Sequence, residues 1–351
     1  MKKFLLVIIL LLIPLNVGAI DTSATSAILM DMDSGRILYA KNINRKQSVA
    51  SISKIMTAVV ALDNGKLKNK VTVGNEIKKA YGSGIYIKQG EKLTLQDLLY
   101  GLMLRSGNDA ALAIASSVSK DTESFVKKMN EKASLLGMNN SLFRNPHGLD
   151  QEDGGNISTA YDMAKLTSYA MKNKDYQKIV STKKYTLTTN KNTYVWYNKN
   201  KLLNRYEYTT GGKTGFTEIA RRTLVTTASR DNLNLVVVTL NDGNDFLDHQ
   251  NLFEYAFANY KSYKILTKGN IKIKEDHYYD KYKLYIKNDY SYPLSQDEEK
   301  SIKIKYELKK VRKLKNNIKV GKAKIYLGDK IVHEEEIYLK YKSKKSKGWF
   351  K

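Results

Sequence analysis

The fold of this chain is decided by the stretch ASISKIMTA, residues 50–58. Ser51 and Lys54 form an S-x-x-K pattern there and open an apolar run that ends at Asn64-Gly65. The helical spacing of the apolar residues and the Asn-Gly stop predict a helix that begins near Ser51. Because residues three apart share one face of a helix, we expect the Ser51 hydroxyl and the Lys54 amine to lie side by side.

An S-x-x-K pattern alone carries little weight, since the chain is rich in Ser and Lys. Only the Ser51 copy precedes both Ser106-Gly107-Asn108 and Lys213-Thr214-Gly215 while opening an apolar helical run, and K-T-G occurs once. Other copies of S-x-x-K occur at Ser117/Lys120, Ser124/Lys127 and Ser181/Lys184. The ordered set of three motifs is therefore the signal.

Ser51 and Lys54 have the residue types of a nucleophile and its base. A serine hydroxyl attacks only when a base removes its proton, and a neutral lysine amine is able to do this. Lysine is normally protonated at pH 7, so Lys54 must be desolvated or placed beside another cation, for which Lys213 is the candidate. The positive end of the helix dipole at Ser51 favours an anionic oxygen there. In isolation, such a pair is more often an N-cap serine and a solvated lysine.

The second motif offers two polar side chains where a helix gives way to a loop. Ser106 is a candidate for relaying a proton between Lys54 and the leaving amine. The Asn108 amide is a candidate for holding either a substrate backbone carbonyl or the Lys54 ammonium. Taken alone, Ser106-Gly107-Asn108 would be better explained as an ordinary turn.

The third motif lies on a predicted strand. Lys213 and Thr214 offer an ammonium and a hydroxyl that bind a carboxylate, and Gly215 lets a ligand backbone lie close to the strand. The N–H of Phe216, with that of Ser51, is expected to form an oxyanion hole. The alternative is that Lys213 is a solvated lysine at a sheet edge.

Other catalytic layouts find little support. The sequence contains no G-x-S-x-G elbow. Ser83 lies directly between Gly82 and Gly84, which is too close a spacing for that motif. His147, in Asn145-Pro146-His147-Gly148-Leu149, is expected to be a loop residue held by hydrogen bonds rather than a base. The chain has no cysteine, and its four histidines are scattered. We therefore expect no disulfide, no metal site and no cofactor.

Residues 1–19 have the features of a secretory signal peptide: two lysines, a short apolar core, and a small-residue site at Val17-Gly18-Ala19, with cleavage expected after Ala19. The apolar core is shorter than the roughly 20 residues that span a bilayer. The net charge is +25, which indicates either a compositional habit or an anionic neighbourhood such as membrane lipid or acidic wall polymer. We expect no single helix or loop to carry the excess charge, and export disfavours nucleic acid as a partner.

Residues 22–265 are expected to form a mixed domain of strands and helices. Ala27–Asp33 and Arg36–Ala40 predict a hairpin around Ser34-Gly35. Other segments extend this domain with helices at 95–104, capped by Thr94 and Asp97, at 109–118 and at 245–260, and with strands at 209–215 and within 223–240.

Beyond about Lys268 the pattern changes to alternation between apolar and charged residues, as in Tyr282–Lys287 and Ile302–Lys309. This period of two predicts a small all-β domain at 270–340. Gly328-Asp329 is its hairpin turn. The basic tail at 341–351 ends with Trp349 and Phe350 and is a candidate for weak, salt-sensitive contact with an anionic membrane or wall polymer.

With these residues in view, the chain resembles the D-alanyl-D-alanine carboxypeptidases, which are low-molecular-mass penicillin-binding proteins. The resemblance rests on residues 50–58, 106–111, 143–149 and 213–217. It implies a β-lactamase/transpeptidase-like α/β (α+β) catalytic domain, in which an antiparallel sheet flanked by helices faces a helical subdomain. The family often adds a small all-β C-terminal domain and a membrane-binding tail.

The resemblance also implies an activity. Ser51 would attack the carbonyl of the penultimate D-alanine of a peptidoglycan stem peptide ending in D-Ala-D-Ala, with Lys54 as base and Ser106 assisting. Lys213 and Thr214 would bind the terminal carboxylate, and water would then release the acyl group. β-Lactams would acylate the same serine. The protein would act on the extracytoplasmic side of a bacterial membrane or in the wall.

The chain departs from the family pattern at two places near the motifs. Val49 stands where the family often has proline, and Ala220-Arg221-Arg222 replaces a glycine-containing turn. Two alternatives to a carboxypeptidase are a class A-like β-lactamase and a wall- or sporulation-associated binding protein without catalysis. The first usually carries S-D-N and a later glutamate that activates the deacylating water, but here the second motif is Ser106-Gly107-Asn108 and no E-x-x-L-N element follows. The second has no need of a base beside a nucleophile.

Overall fold

The computed structural model describes residues 20–150, 154–273 and 278–341. The expected signal peptide and nearly all of the basic tail lie outside the described residues. Within the described part of the chain, no helix has both the length and the apolar composition needed to cross a membrane.

The first unit alternates strands and helices. Its strands are β1 (Ser26–Asp31), β2 (Ile37–Lys41), β3 (Gln47–Ser48), β4 (Lys70–Thr72), β5 (Lys92–Thr94), β6 (Ile157–Ser158), β7 (Lys184–Thr188), β8 (Thr193–Tyr197), β9 (Thr209–Thr217), β10 (Arg221–Arg230) and β11 (Leu233–Leu240). Its helices are α1 (Lys54–Asn64), α2 (Leu95–Tyr100), α3 (Asn108–Val118), α4 (Thr122–Leu135), α5 (Ala160–Ala170), α6 (Lys174–Ser181), α7 (Leu202–Arg205) and α8 (Asp245–Asn259).

A five-stranded antiparallel sheet organises this unit, in the order β2-β1-β11-β10-β9. Successive side chains of a strand point to opposite faces, and the side chains on both faces of β11 are buried against helices. Leu235 and Val237 pack with α8, whereas Val236 and Val238 belong to the core shared with α1 and α5. The antiparallel sheet flanked by helices is the fold class that the sequence predicted.

Helix α1 lies at the centre of the helical side of the unit. Its residues from Lys54 to Ala61 are all buried, which is typical of a helix surrounded by others. The predicted start near Ser51 is a short 3₁₀ turn, Ala50–Ser53, that leads directly into α1. The expected capping box of Thr94 and Asp97 begins α2. After Tyr100 the helix widens into a π-helical turn, Gly101–Arg105, instead of continuing as one regular helix.

The second unit consists of strands. They are β12 (Lys261–Leu266), β13 (Gly269–Ile271), β14 (Tyr282–Ile286), β15 (Tyr290–Leu294), β16 (Ile302–Leu308), β17 (Lys319–Leu327) and β18 (Lys330–Tyr341). Five of them form an antiparallel sheet in the order β13-β14-β18-β17-β16, and β12 pairs with β15. The alternating apolar residues form one core, which includes Leu284, Ile325 and Ile337, so the all-β prediction is confirmed.

Arg36 joins the two units. Its guanidinium, beside the β1–β2 turn, donates to the Pro293 carbonyl at 2.5 Å and pairs with Glu298 at 2.5 Å. The same group lies over the rings of Tyr260 and Tyr292, 5.3 and 5.1 Å from their centroids. Arginine suits this place because its planar cation stacks on rings and hydrogen-bonds in its own plane.

The loop at 145–149 packs tightly against the turn that carries Ser51. Gly148 has φ +81°, and a Cβ there would lie 2.2 Å from the Ala50 carbonyl oxygen and 2.5 Å from Ser53 Oγ. Ala50 itself has φ +46°, a conformation that L-residues other than glycine rarely adopt. The close packing holds this backbone in place.

We expect Gly148→Ala to lower the free energy of unfolding by about 2 kcal/mol or more, because the methyl group would collide with backbone atoms and φ is unfavourable. Gly243→Ala is the matched control, since a Cβ at Gly243 would meet no atom within 4 Å. The control should change stability by less than about 0.5 kcal/mol. Urea unfolding of both variants measures this, and equal stabilities would contradict the packing described here.

Candidate active site

The first motif forms a direct contact between the expected nucleophile and base. Lys54 Nζ lies 2.9 Å from Ser51 Oγ. It also donates to Asn108 Oδ1 at 2.7 Å and, through a short hydrogen bond, to the His147 carbonyl. The Lys54 side chain is completely buried, whereas Ser51 is partly exposed. The nucleophile is thus open to a ligand, and its neighbour is shielded from water.

Burial lowers the pKa of Lys54 well below its usual range, and the charges of Lys213 and then Lys199 lower it further. Both causes disfavour the ammonium form. A lysine with a lowered pKa is neutral over more of the physiological pH range, and only the neutral amine is able to accept the Ser51 proton.

Asn108 connects Lys54 with the loop that precedes the second motif. Its Oδ1 accepts from Lys54, and its Nδ2 donates to the Tyr81 carbonyl at 2.5 Å. Two roles were expected for this amide, holding a substrate carbonyl or holding Lys54, and the structure shows the contact with Lys54. Because both ends of the amide already have protein partners, Asn108 positions the base.

Ser106 lies where the π-helical turn ends, with φ +65°, and only 4% of its surface is exposed. Among the described residues, its hydroxyl makes no hydrogen bond to Lys54 or to Lys213. The hydroxyl is therefore held by neither lysine.

The third motif lies on β9, at the edge of the sheet. Lys213 Nζ donates to the Thr214 carbonyl at 2.6 Å. Burial, and next the charge of Lys199, lower the pKa of Lys213 to about 7. Thr214 is partly exposed on the same strand, and the Phe216 side chain is 56% exposed.

Gly215 brings this strand against the turn that carries the nucleophile. A Cβ at Gly215 would lie 2.4 Å from Thr223 Oγ1 and 3.0 Å from the backbone nitrogen of Ser51. Thr223 in turn donates to the Val49 carbonyl at 3.1 Å. Gly215 was predicted to let a ligand backbone lie close to the strand. The close packing of β9 against Thr223 and the Ser51 nitrogen already requires a glycine at this position.

Two contributions to the site were not found from the sequence. One is the backbone carbonyl of His147, which accepts from Lys54. The His147 ring is held in its loop as expected, with Nδ1 accepting from the Leu149 N–H at 3.2 Å. Burial and the charge of Lys54 lower the pKa of this ring to about 4. A backbone acceptor leaves no trace in residue type, so no sequence signal could have identified it.

The other is Lys199, a third cation near the site. It is half-buried, its Nζ lies 3.2 Å from Ser83 Oγ, and its charge lowers the pKa values of both Lys54 and Lys213. In the sequence it is one lysine among several in Asn198-Lys199-Asn200-Lys201. Only the fold distinguishes it from its exposed neighbour.

The two arginines after the third motif do not add free charge to the site. Arg221 pairs with Glu218 at 3.3 Å, and Arg222 forms a short ion pair with Asp245. Arg221 has φ +56° and takes the position for which a glycine would be better suited. The substitution therefore changes the turn rather than the charge next to the nucleophile.

No group of metal-binding side chains occurs in the part of the chain that the structure describes. The site contains a buried lysine beside a partly exposed serine, at the junction of an antiparallel sheet and a helical layer. This arrangement is typical of serine hydrolases that use a lysine as the base.

Comparison with known proteins agrees with this class. The family profile described as "D-alanyl-D-alanine carboxypeptidase" matches residues 14–244, and "Penicillin-binding protein 5, C-terminal domain" matches residues 260–345. The chain belongs to the D-alanyl-D-alanine carboxypeptidase family, and it is a low-molecular-mass penicillin-binding protein and a serine peptidase.

Three similar proteins illustrate the relationship. D-alanyl-D-alanine carboxypeptidase DacF of Bacillus subtilis is 35% identical over 72% of this chain and 68% of its own length. DacA of Haemophilus influenzae is 32% identical over 82% of this chain and 76% of its own length. The crystal structure of penicillin binding protein 5 from H. influenzae covers 92% of this chain and 97% of its own, with a TM-score of 0.78 and 28% identity.

We expect Lys199→Gln to move the acidic limb of the acylation rate of Ser51 by benzylpenicillin to higher pH. Removing this positive charge raises the pKa of Lys54, so a higher pH is needed to produce the neutral amine. The rate should fall more at pH 6 than at pH 9. Lys201→Gln is the control, because Lys201 is exposed. A pH profile identical to that of the unmodified protein would refute this electrostatic role.

Proposed function

We propose that this protein removes the terminal D-alanine from peptidoglycan stem peptides that end in D-Ala-D-Ala, through an acyl-enzyme on Ser51. One observation carries the proposal: Ser51 Oγ lies 2.9 Å from the amine of a completely buried lysine. The names of the relatives, which are D-alanyl-D-alanine carboxypeptidases, support the choice of substrate.

In the acylation step, the neutral Lys54 amine takes the Ser51 proton as Oγ attacks the carbonyl carbon of the penultimate D-alanine. The backbone N–H groups of Ser51 and Phe216 stabilise the resulting oxyanion. When the intermediate collapses, the proton passes to the leaving amine with the help of the Ser106 hydroxyl. The terminal D-alanine then departs with its amine protonated.

The terminal carboxylate of the substrate binds at β9, between the Lys213 ammonium and the Thr214 hydroxyl. A carboxylate beside Lys213 favours its charged form, which opposes the lowering of its pKa by burial. In the second step, Lys54 takes a proton from the water that attacks the acyl carbonyl, and it gives this proton to Ser51 Oγ as the ester bond breaks.

β-Lactams would acylate Ser51 in the same way and leave slowly. A class A-like β-lactamase needs a carboxylate that activates the deacylating water. Among the described residues, no carboxylate contacts the side chains of Ser51 or Lys54. This favours a penicillin-sensitive peptidase over a β-lactamase. A non-catalytic binding protein is disfavoured because binding alone would not require a buried lysine with a lowered pKa.

The same proposal covers location and organisation. We infer that residues 1–19 direct export, that residues 22–265 and 270–340 form the two domains, and that the protein works on the outer side of a bacterial membrane or in the wall. The family acts on wall peptides, which supports this location. Contact of the tail at 341–351 with anionic lipid or wall polymer belongs to the same proposal.

Incubation of the mature protein with benzylpenicillin should give a persistent adduct of the drug's mass, measured on the intact protein. Ser51→Ala should give none, and it should lower kcat/KM for release of D-alanine from an acylated Lys-D-Ala-D-Ala peptide by at least about 10³-fold. Ser181→Ala, in another S-x-x-K copy, is the matched control and should behave as the unmodified protein does.

Each alternative has its own result. Rapid turnover of a chromogenic cephalosporin, with no lasting adduct, would indicate a β-lactamase. The absence of both an adduct and D-alanine release in a folded protein would indicate a binding protein.

A further inference from the structure

The second unit carries a group of closely spaced cations. Seven exposed cations follow one another along edge strand β16 and the loop after it, and we call them the basic strip. They are Lys303, Lys305, Lys309, Lys310, Arg312, Lys313 and Lys315.

The cations of the basic strip have no acidic partners among the described residues. On the neighbouring strands, Lys319 pairs with Glu336, Lys322 with Glu334, and Lys324 with Glu307 at 2.8 Å. In the part of the chain that the structure describes, no cation of the strip forms an ion pair. Its one aromatic contact is Lys310 Nζ, 5.7 Å from the centroid of the Tyr278 ring. The charges of the strip are therefore available to an external anion.

The loop that carries most of the strip is held in place by two packed apolar side chains and by hydrogen bonds to its backbone. The Val311 and Leu314 side chains pack against the core of the second unit, and the Val311 N–H donates to Tyr279 Oη at 3.2 Å. Tyr341 holds the other side, with its Oη donating to the Leu314 carbonyl and its N–H to Asn316 Oδ1, both at 2.8 Å. Little conformational entropy is lost when such a fixed surface binds a ligand.

The strip is also extended. At about 3.3 Å per residue, the strand places Lys303 about 20 Å from Lys309. A flexible chain of regularly spaced anions is able to follow its whole length.

We propose that the basic strip binds a linear polymer of phosphodiesters, such as the anionic polymers of a bacterial wall. Each phosphate neutralised by a lysine or arginine releases counterions, so the binding is strong at low salt and weakens steeply as salt rises. The effect is to retain the peptidase at the wall independently of its catalytic cleft. Tyr341 contacts the loop that carries the strip, and the sequence has five further lysines after it.

The test uses the full mature chain and poly(glycerol phosphate) as the probe. In the strip variant, Lys309, Lys310, Arg312, Lys313 and Lys315 are replaced by Gln, which keeps Val311, Leu314 and the backbone contacts. The matched control replaces five exposed lysines of the first unit by Gln, and so changes the net charge equally: Lys66, Lys68, Lys70, Lys78 and Lys79.

We expect the strip variant to bind the polymer at least about tenfold more weakly at low salt, with a shallower salt dependence. The control should bind within about twofold of the unmodified protein. Both variants should be acylated by benzylpenicillin at the unmodified rate, which shows that they are folded and separates this test from that of the catalytic proposal.

Three results would overturn the proposal. One is unchanged polymer binding by the strip variant. The second is an equal loss in the control, which would mean that net charge alone governs binding. In the third, the strip variant loses binding to vesicles of phosphatidylglycerol and phosphatidylcholine but keeps its binding to the polymer, which would assign the strip to a lipid surface.

Discussion

The burial of the Lys54 amine is the constraint around which the first unit is built. An ammonium removed from water is costly unless it finds hydrogen-bond partners or loses its proton. The fold supplies partners from distant parts of the chain, Asn108 at the start of α3 and the carbonyl of His147 in a loop. It also lowers the pKa of Lys54 through burial and through Lys213. The helical layer, the loop and the sheet must all be in place before the Lys54 pKa is lowered in this way.

The backbone around Ser51 meets a second constraint, which is close approach. Ala50 adopts a positive φ, Gly148 packs under it, and Gly215 brings β9 within reach of the Ser51 nitrogen. Strain of this kind persists only where the surrounding structure enforces it. The position of the nucleophile therefore depends on packing between segments that are far apart in the sequence, and the two glycines are needed because no side chain would fit.

Much of this organisation is predictable from local patterns. The β1–β2 hairpin, the capping box at Thr94 and the alternating strands of the second unit depend on residues near one another in the chain, so their patterns predicted them. Helices α4, α5 and α6 and the β7–β8 hairpin were not predicted, although each of the three helices has an N-cap residue that favours a helix start: Asp121, Thr159 and Asn173. Which lysines face a glutamate depends on how neighbouring strands pair, so the sequence alone does not show it.

The sequence by itself determined the class of chemistry, because the ordered motifs around Ser51, Ser106 and Lys213 show which reactive side chains the site contains. It also determined the all-β character of the second unit, because period-two alternation is a local property. Only the tertiary structure decided that Asn108 accepts a hydrogen bond from Lys54, that the charge of Lys199 lowers the Lys54 pKa, and that the basic strip is unpaired among the described residues. Hydrogen bonds, pKa shifts and charge pairing depend on distances between residues remote in sequence, and those distances exist only once the chain has folded.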